Sequence, residues 1–393
     1  MTLRTYMLSI FILAIFLFLY SFYFSPPQIK KKKWYYGWLI IIGIVILYEL
    51  IINFVVFSSG LSTILGAFYL YIFIFCTFYS IIHFIGWFFN GNIREKIQIY
   101  AVKIAFIVVI LSMVGNLIYS NKITIKNYIL KYENLPNSFD GFTIAHISDL
   151  HLGSFVSDNK LKKTTSKINN LNPDAIIFTG DLVNSSTKEI KPIHKECLKN
   201  MKAPIKLAIL GNHDYHDFHK FSHYWGKDKL QPNMKLADSI SSILKECGFT
   251  VLRDSLYFVA KNHDTIVFIG LNNYGKPPFT VYGNIYKVID QIPNNLFSIV
   301  LIHDPFYWSE GLFDDIPLTL SGHTHGGQFG FFINSKLRLS FASINGKSGG
   351  LYKNDKNNKI IINTGLGHVA INFRFGFSSQ ICHIKLQKGR NID

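Results

Sequence analysis

The stretch Phe142-Thr143-Ile144-Ala145-His146-Ile147-Ser148-Asp149-Leu150-His151 decides how this chain is read. Residues 142–147 form a short, mostly apolar run with the length and composition of a buried strand. The run stops at a polar cluster in which Asp149 and His151 stand two positions apart. Side chains at that spacing point the same way where the backbone is extended. The pattern then recurs along the chain. Residues 175–178 run into Thr179-Gly180-Asp181, and residues 207–210 into Gly211-Asn212-His213-Asp214. Residues 299–302 lead to His303-Asp304-Pro305, residues 318–320 to Ser321-Gly322-His323-Thr324-His325, and residues 360–362 to Asn363-Thr364-Gly365. Helical stretches intervene, such as 159–171 and 236–247. Strands alternating with helices predict an α/β domain with much parallel pairing. Groups at the carboxyl ends of such strands converge in one crevice.

The clusters hold carboxylates, imidazoles and one carboxamide, but no thiolate. Cys76, Cys197, Cys247 and Cys382 are far apart and form no CxxC pair, which argues against a thiolate zinc site. At most one disulfide is open to the last three. Mixed nitrogen and oxygen donors suit Mn, Fe or Zn better than Ca or Mg. Asp181 stands alone after its strand, and its two oxygens can bridge two ions. Gly180, Gly211 and Gly322 precede ligand positions, where the chain must turn sharply. No G-x-x-x-x-G-K-[ST] loop is present, so a nucleotide P-loop is excluded. Each cluster alone has a plain reading: a lone Gly-Asp is usually a turn, and a lone His after a strand is usually structural. Five of them in order, each at a strand end, are a different matter.

The series Asp149-x-His151, Gly180-Asp181, Gly211-Asn212-His213-Asp214, His303 and Gly322-His323-Thr324-His325 resembles the calcineurin-like metallophosphoesterase superfamily, over about residues 142 to 370. Asn172-Pro173-Asp174, Gly326-Gly327-Gln328 and the 363–367 segment resemble one membrane-associated bacterial branch. That branch includes a type of UDP-2,3-diacylglucosamine pyrophosphatase and has a transmembrane relative in animals. The resemblance implies a four-layer α/β/β/α sandwich with the site at one edge. It implies two divalent metal ions: Asp149, His151 and His325 on the first, Asn212, His303 and His323 on the second, and Asp181 between them. His213 would face the substrate phosphate and the leaving oxygen without binding metal. Asp214 and Asp304 would orient their neighbours. The chain also departs from the branch. An Arg followed by a Pro-Glu pair is usual near the end, whereas Arg374 is followed by Phe375-Gly376-Phe377-Ser378-Ser379-Gln380. Arg374 is left with two readings, a contact to an anionic group or a surface position. His216, His219 and His223, with Asp217 among them, read as a polar loop.

The first 120 residues are different in kind. Hydrophobic residues make up 49% of the chain and charged residues only 16%, and the apolar excess lies here. Four runs, at 7–24, 38–57, 64–89 and 99–119, have about the 20 residues a helix needs to cross a bilayer. They predict an all-α bundle of four transmembrane helices over residues 1–120, followed by the metallophosphoesterase domain over 121–393. Trp34, Tyr35, Tyr36, Trp38 and Trp87 sit near run ends, where amphipathic rings prefer the interface. His83 lies inside the third run and reads as a packing residue. Lys30 to Lys33, and Arg94 with Lys96, occupy two of the connecting loops. Basic loops stay inside, which places the catalytic domain outside the cytoplasm.

The chain carries 40 Lys and Arg against 24 Asp and Glu, and its soluble part remains net basic. That favours an anionic partner. No compact basic run follows residue 134, so nucleic acid is not expected. The expected partners are the lipid bilayer and an anionic phosphoester, a lipid among the candidates. The expected function is a membrane-anchored, binuclear-metal phosphohydrolase that cleaves a phosphodiester or pyrophosphate of a lipid or lipid-linked substrate. Two alternatives stand beside it: a non-catalytic metal-bound scaffold or sensor, and a lipid carrier with an accessory domain.

Overall fold

The computed structural model describes residues 60–155, 157–215, 233–275, 281–289, 291, 296–332, 338–344, 347–369 and 371–390. These separate into two compact units. One holds the chain up to Ile118 together with Ala370–Asn372, and the other holds Tyr119–Val369 with Phe373–Asp393.

In the first unit, helix α1 spans Gly60–Gly86 and helix α2 spans Gly91–Asn121. Phe75 meets Phe106 edge-on at 4.9 Å, and the Asn116 amide donates to the Tyr71 hydroxyl at 3.0 Å. His83 is buried with its ring beside Tyr79. Among the described residues α2 alone is long and apolar enough to cross a membrane, with 31 residues and a mean hydropathy of 2.3 over its most apolar 18-residue stretch. The apolar part of α1 is the shorter Leu70–Gly86. This corrects the expected four-helix bundle. The run at 64–89 does not continue as helix beyond Gly86, because the Trp87, Phe88 and Phe89 amides turn back onto Phe84, Ile85 and Gly86. The runs at 7–24 and 38–57, and Lys30 to Lys33, lie outside the described residues. So do His216, Asp217, His219 and His223.

The second unit is built on two six-stranded sheets. The first has the order β1 (Ile123–Tyr132), β14 (Ser379–Lys388), β2 (Thr143–Ile147), β3 (Ala175–Thr179), β4 (Ile205–Ile209) and β5 (Thr250–Val251). Strands β2 to β5 run parallel, and β14 is antiparallel to β2. The second has the order β12 (Gly350–Lys353), β13 (Lys359–Ile362), β9 (Leu318–Ser321), β8 (Phe297–Leu301), β7 (Asp264–Gly270) and β6 (Ser255–Lys261). Its four inner strands are parallel and its two edge strands antiparallel.

Strand alternation sorts the apolar side chains into three layers. Ile144, Ile177 and Leu207 face Phe268, Ile299 and Leu320 in a central layer between the sheets. On the other face of the first sheet, Ile147, Phe178 and Ala208 pack on helices α3 (Asn159–Leu171), α4 (Pro192–Lys199) and α5 (Met234–Glu246), through Leu161, Leu198 and Ile240. The second sheet's outer face puts Val267, Val300 and Ile362 against Ile285, Val288 and Trp308. Strands buried on both faces read as continuous apolar runs, which is why β2, β3, β4, β8, β9 and β13 stand out in the sequence. Cys76, Cys197, Cys247 and Cys382 are buried free thiols.

Candidate metal centre

Five strands deliver the site. Asp149 and His151 follow β2, Asp181 follows β3, Asn212 and His213 follow β4, His303 follows β8, and His323 and His325 follow β9. Five of these take a left-handed backbone: Asp149 (φ 51°), His151 (φ 40°), Asp181 (φ 61°), His323 (φ 69°) and His325 (φ 52°). The conformation costs ~1–2 kcal/mol per residue, and such strain concentrates at functional sites. Here it curls the ends of β2, β3 and β9 so that successive side chains face one point. Backbone bonds between the curls offset the cost. Asp149 N–H donates to the Gly180 carbonyl at 2.9 Å, His151 N–H to Asp181 at 3.1 Å and Leu152 N–H to Leu182 at 2.9 Å. The β2–β3 ladder therefore continues past both strands. Close approach also dictates two glycines. A Cβ on Gly211 would overlap the Asp181 carboxylate, and one on Gly322 would overlap Ser148 and the Asp149 carboxylate.

The side chains meet at short range. His303 Nε2 lies 3.1 Å and His151 Nε2 3.5 Å from Asp181 Oδ2, so this oxygen stands between imidazoles of the two sheets. His325 Nε2 is 3.4 Å from Asp149 Oδ1 and 3.1 Å from His151 Nε2. His323 Nδ1 is 3.0 Å from Asn212 Oδ1 and 3.3 Å from His303 Nε2. Three triads have donor atoms within 4.8 Å of one another: Asp149/His151/His325, His151/Asp181/His213 and Asp181/His303/His323.

Electrostatics show what this set of atoms lacks. Burial pushes the Asp149 carboxyl up, with Asp181 adding to the rise. Asp181 is buried as well, but His303, His213 and His151 around it outweigh burial and hold it well below the carboxylate range. Burial would lower His303, yet the Asp181 charge raises it to about 10. His151 is held at about 3 by burial and by His213, and His325 well below its ordinary value by burial and His151. Among the described residues neither Asp149 nor Asp181 pairs with Lys or Arg; their partners are imidazoles. The His303 Nδ1–H donates to the Thr179 carbonyl at 2.7 Å, which turns Nε2 toward the cluster. Two buried carboxylates and inward-facing imidazole nitrogens are a donor set that fits divalent cations.

The comparisons agree with this chemistry. Residues 142–327 match the family model for calcineurin-like phosphoesterase. The UDP-2,3-diacylglucosamine pyrophosphatase LpxG of Chlamydia trachomatis is 30% identical over 231 residues, covering 50% of this chain and 68% of that protein. The chain belongs to the calcineurin-like phosphoesterase family. It is also 29% identical over 254 residues to the uncharacterized metallophosphoesterase YkuE of Bacillus subtilis, covering 63% of this chain and 80% of that one. A Danio rerio transmembrane protein with metallophosphoesterase domain is 27% identical over 266 residues, covering 65% of this chain and 55% of its own length. The protein is accordingly a metal-dependent phosphoester hydrolase, and its likeness to transmembrane relatives together with α2 points to membrane association.

Three features of this phosphoesterase centre were not apparent from single residues. His213 lies at the rim, half-buried, with its ring edge-on to His151 at 4.7 Å. Its backbone N–H donates to Asp181 Oδ1 at 2.9 Å. Asp214 faces away from the donor atoms and accepts from the backbone N–H groups of Asp181, Leu182 and Gly211 at 2.9 to 3.0 Å, which ties the β3 and β4 ends together. Arg374 is neither at the surface nor on an exposed anion. It is fully buried, and its guanidinium donates to the carbonyls of Thr364, Gly365 and Gly367 at 3.0, 3.3 and 2.6 Å. That loop in turn donates from Gly367 N–H to the Asp149 carbonyl at 2.7 Å. Burial lowers Arg374 to about 10, and Asp149 opposes the shift. This cradle of carbonyls is invisible in sequence because it is built from backbone oxygens.

Proposed function

We propose that the centre holds two divalent cations, Mn, Fe or Zn, and hydrolyses a phosphodiester or pyrophosphate of a lipid or lipid-linked substrate at a membrane face. The observation that carries this reading is the pair of imidazoles flanking Asp181 Oδ2, His151 from the first sheet and His303 from the second, each within a cluster of possible metal donors. Asp149, His151 and His325 would hold one ion, and Asn212, His303 and His323 the other, with Asp181 shared. When bound, the ions supply an activated water at neutral pH and neutralise charge on the phosphoryl oxygens.

The chain's own groups do the rest. The Asp181 side chain fixes the spacing of the two donor groups and, through the His213 N–H, the position of His213. His213 Nδ1–H donates to the Asn184 carbonyl at 2.7 Å, so Nε2 is the ring nitrogen that would give a proton to the departing oxygen. Asp214 holds the two strand ends in register.

The membrane setting rests on α2, which exposes Ile107, Leu111, Met113 and Leu117 as lipid-facing side chains would be. Lys30 to Lys33 in the sequence, and Arg94 with Lys96 at the start of α2, favour a catalytic domain on the outer face, over residues 121–393. Labelling an introduced surface cysteine in intact cells tests the side; protection from an impermeant reagent would place the domain inside. The substrate is tested with the full-length protein, Mn²⁺ and a membrane lipid extract, with mass detection of released headgroups. Hydrolysis of a soluble diester together with no release from any lipid would remove the lipid from this reading.

A further inference from the structure

The Asn184 carbonyl that accepts the His213 Nδ1 proton belongs to a peptide group whose other end is the Ser185 N–H. That N–H donates to Oε1 of Glu189 at 2.8 Å. Glu189 Oε1 also accepts from the Ser185 hydroxyl at 3.1 Å and from Ser186 N–H at 3.0 Å, and its Oε2 accepts from Asn184 N–H at 2.6 Å. One carboxylate thus takes four donors from three consecutive residues. A capping box on the turn Thr187–Glu189 accounts for the Ser186 contact. It does not call for the bonds to Asn184 and Ser185, which reach back toward the site. Gly153, two residues after His151, completes the enclosure: a Cβ there would overlap both the Glu189 carboxylate and the Asn184 side-chain amide.

We propose that Glu189 is a positioning residue that sets the orientation and proton placement of His213 through the Asn184–Ser185 peptide. The path is a carboxylate oxygen, a peptide N–H, the carbonyl of the same peptide, and the imidazole Nδ1–H. A carboxylate on the N–H end polarises the peptide and makes its carbonyl a stronger acceptor. The stronger acceptor keeps the proton on Nδ1 and fixes the ring, as a partner on one imidazole nitrogen does generally. Nε2 then faces the leaving oxygen. In the step itself the Nε2–H bond breaks and an O–H bond forms on the leaving group. The ring gives up its positive charge as the oxygen loses its negative charge, and Nδ1–H stays on Asn184 throughout. This inference rests on the reading of His213 as the proton donor.

The test uses the full-length, metal-loaded protein and two phosphodiester probes. Bis(4-nitrophenyl) phosphate releases an oxygen that departs readily without a proton, and diphenyl phosphate releases one that needs it. Glu189→Gln places an NH₂ where an acceptor is required. Gly153→Ala pushes the same carboxylate off Asn184 without touching the donor atoms. Each is expected to lower kcat on diphenyl phosphate ~10-fold or more beyond its effect on the nitrophenyl ester, with KM and bound metal unchanged. An equal fall on both esters, loss of metal, or no fall at all overturns the positioning role. If Glu189→Gln does not fold, Gly153→Ala carries the same comparison. His213→Ala run alongside separates the two failures. Selectivity in His213→Ala without selectivity in the other two sinks the positioning role alone. Equal loss on both esters in His213→Ala sinks the proton-donor reading, and the positioning role falls with it.

Discussion

The sheet that carries β2, β3 and β4 gives the centre two carboxylates, a carboxamide and the His151 imidazole, while the sheet that carries β8 and β9 gives three imidazoles. Negative charge is held on one side of the seam and nitrogen on the other. The single imidazole pushed upward, His303, is the one that crosses the seam to Asp181. In the proposed assignment each cation draws ligands from both sheets. The difference implies that assembly of the central layer and assembly of the site are one event, because Ile144, Ile177 and Leu207 must meet Phe268, Ile299 and Leu320 before the donor atoms can meet.

The comparison breaks most severely at Asp181, whose Oδ2 lies within 3.5 Å of an imidazole from each sheet. Asp181→Asn keeps the shape and removes the charge. Activity is expected to fall by more than ~10³-fold, at or beyond what removing one electrostatic stabiliser costs. Bound metal, measured on the purified variant, is expected to fall with it. Normal metal content in Asp181→Asn would show that the charge is not shared across the seam. Next comes His213, which stands on the first sheet's side but outside the proposed ligand assignment. His213→Ala is expected to cost ~10²–10⁴ in rate, the range for a positioned acid, with metal content unchanged. Loss of metal in that variant would move His213 into the ligand group, where its place in one of the three triads would then count.

The two sides of the seam were also unequally legible in the sequence. Inner strands such as β3 and β8 announce themselves because burial on both faces makes them continuously apolar. The polar clusters were legible because each sits just past such a strand. The long pair β1 and β14 was not legible. Ile123–Tyr132 and Ser379–Lys388 mix Lys, Asn and Gln into their exposed face and end in no polar cluster, and their ten-residue parallel register joins opposite ends of the domain. Arg374 was misread for a related reason. A charged side chain near a chain end suggests the surface, and nothing local shows that three carbonyls of 364–367 will enclose it. Helix α1 was overextended because hydropathy registers the apolar Trp87, Phe88 and Phe89 without sensing the turn that they make.

The seam itself is tested by a cavity. Ile299→Ala on β8 removes a fully buried side chain of the central layer. It is expected to cost ~2–5 kcal/mol of stability, seen as a lower denaturation midpoint. If site assembly follows seam closure, added Mn²⁺ should restore more stability to this variant than to Ile240→Ala, which empties the outer helical layer instead. Equal rescue of both variants would separate the two events.

The smallest effect concerns a titratable group on the first sheet's side of the seam. His146 shares the β2 face of Ile144, is fully buried, and its Nε2 lies 2.9 Å from the Thr179 hydroxyl. Burial holds it at about 3, far below the value of 6.5 that it takes in the unfolded chain. As pH falls through 6.5 the unfolded chain takes up a proton that the folded protein refuses. Stability attributable to His146 is therefore full above about pH 6.5, is lost as pH falls toward about 3, and changes no further below that. The slope is ~1.4 kcal/mol per pH unit within the window. His146→Gln keeps a partner for Thr179 and removes the titration. Its urea midpoint should fall less than the wild-type midpoint between about pH 7 and about pH 5, by an amount on the order of 1–2 kcal/mol. The metal ligands also titrate on the acid side, but they do so in both proteins, so the difference between the two slopes belongs to His146. Parallel slopes would mean that the seam admits a proton at this position and is wetter than the packing of Ile144, Ile177 and Leu320 implies.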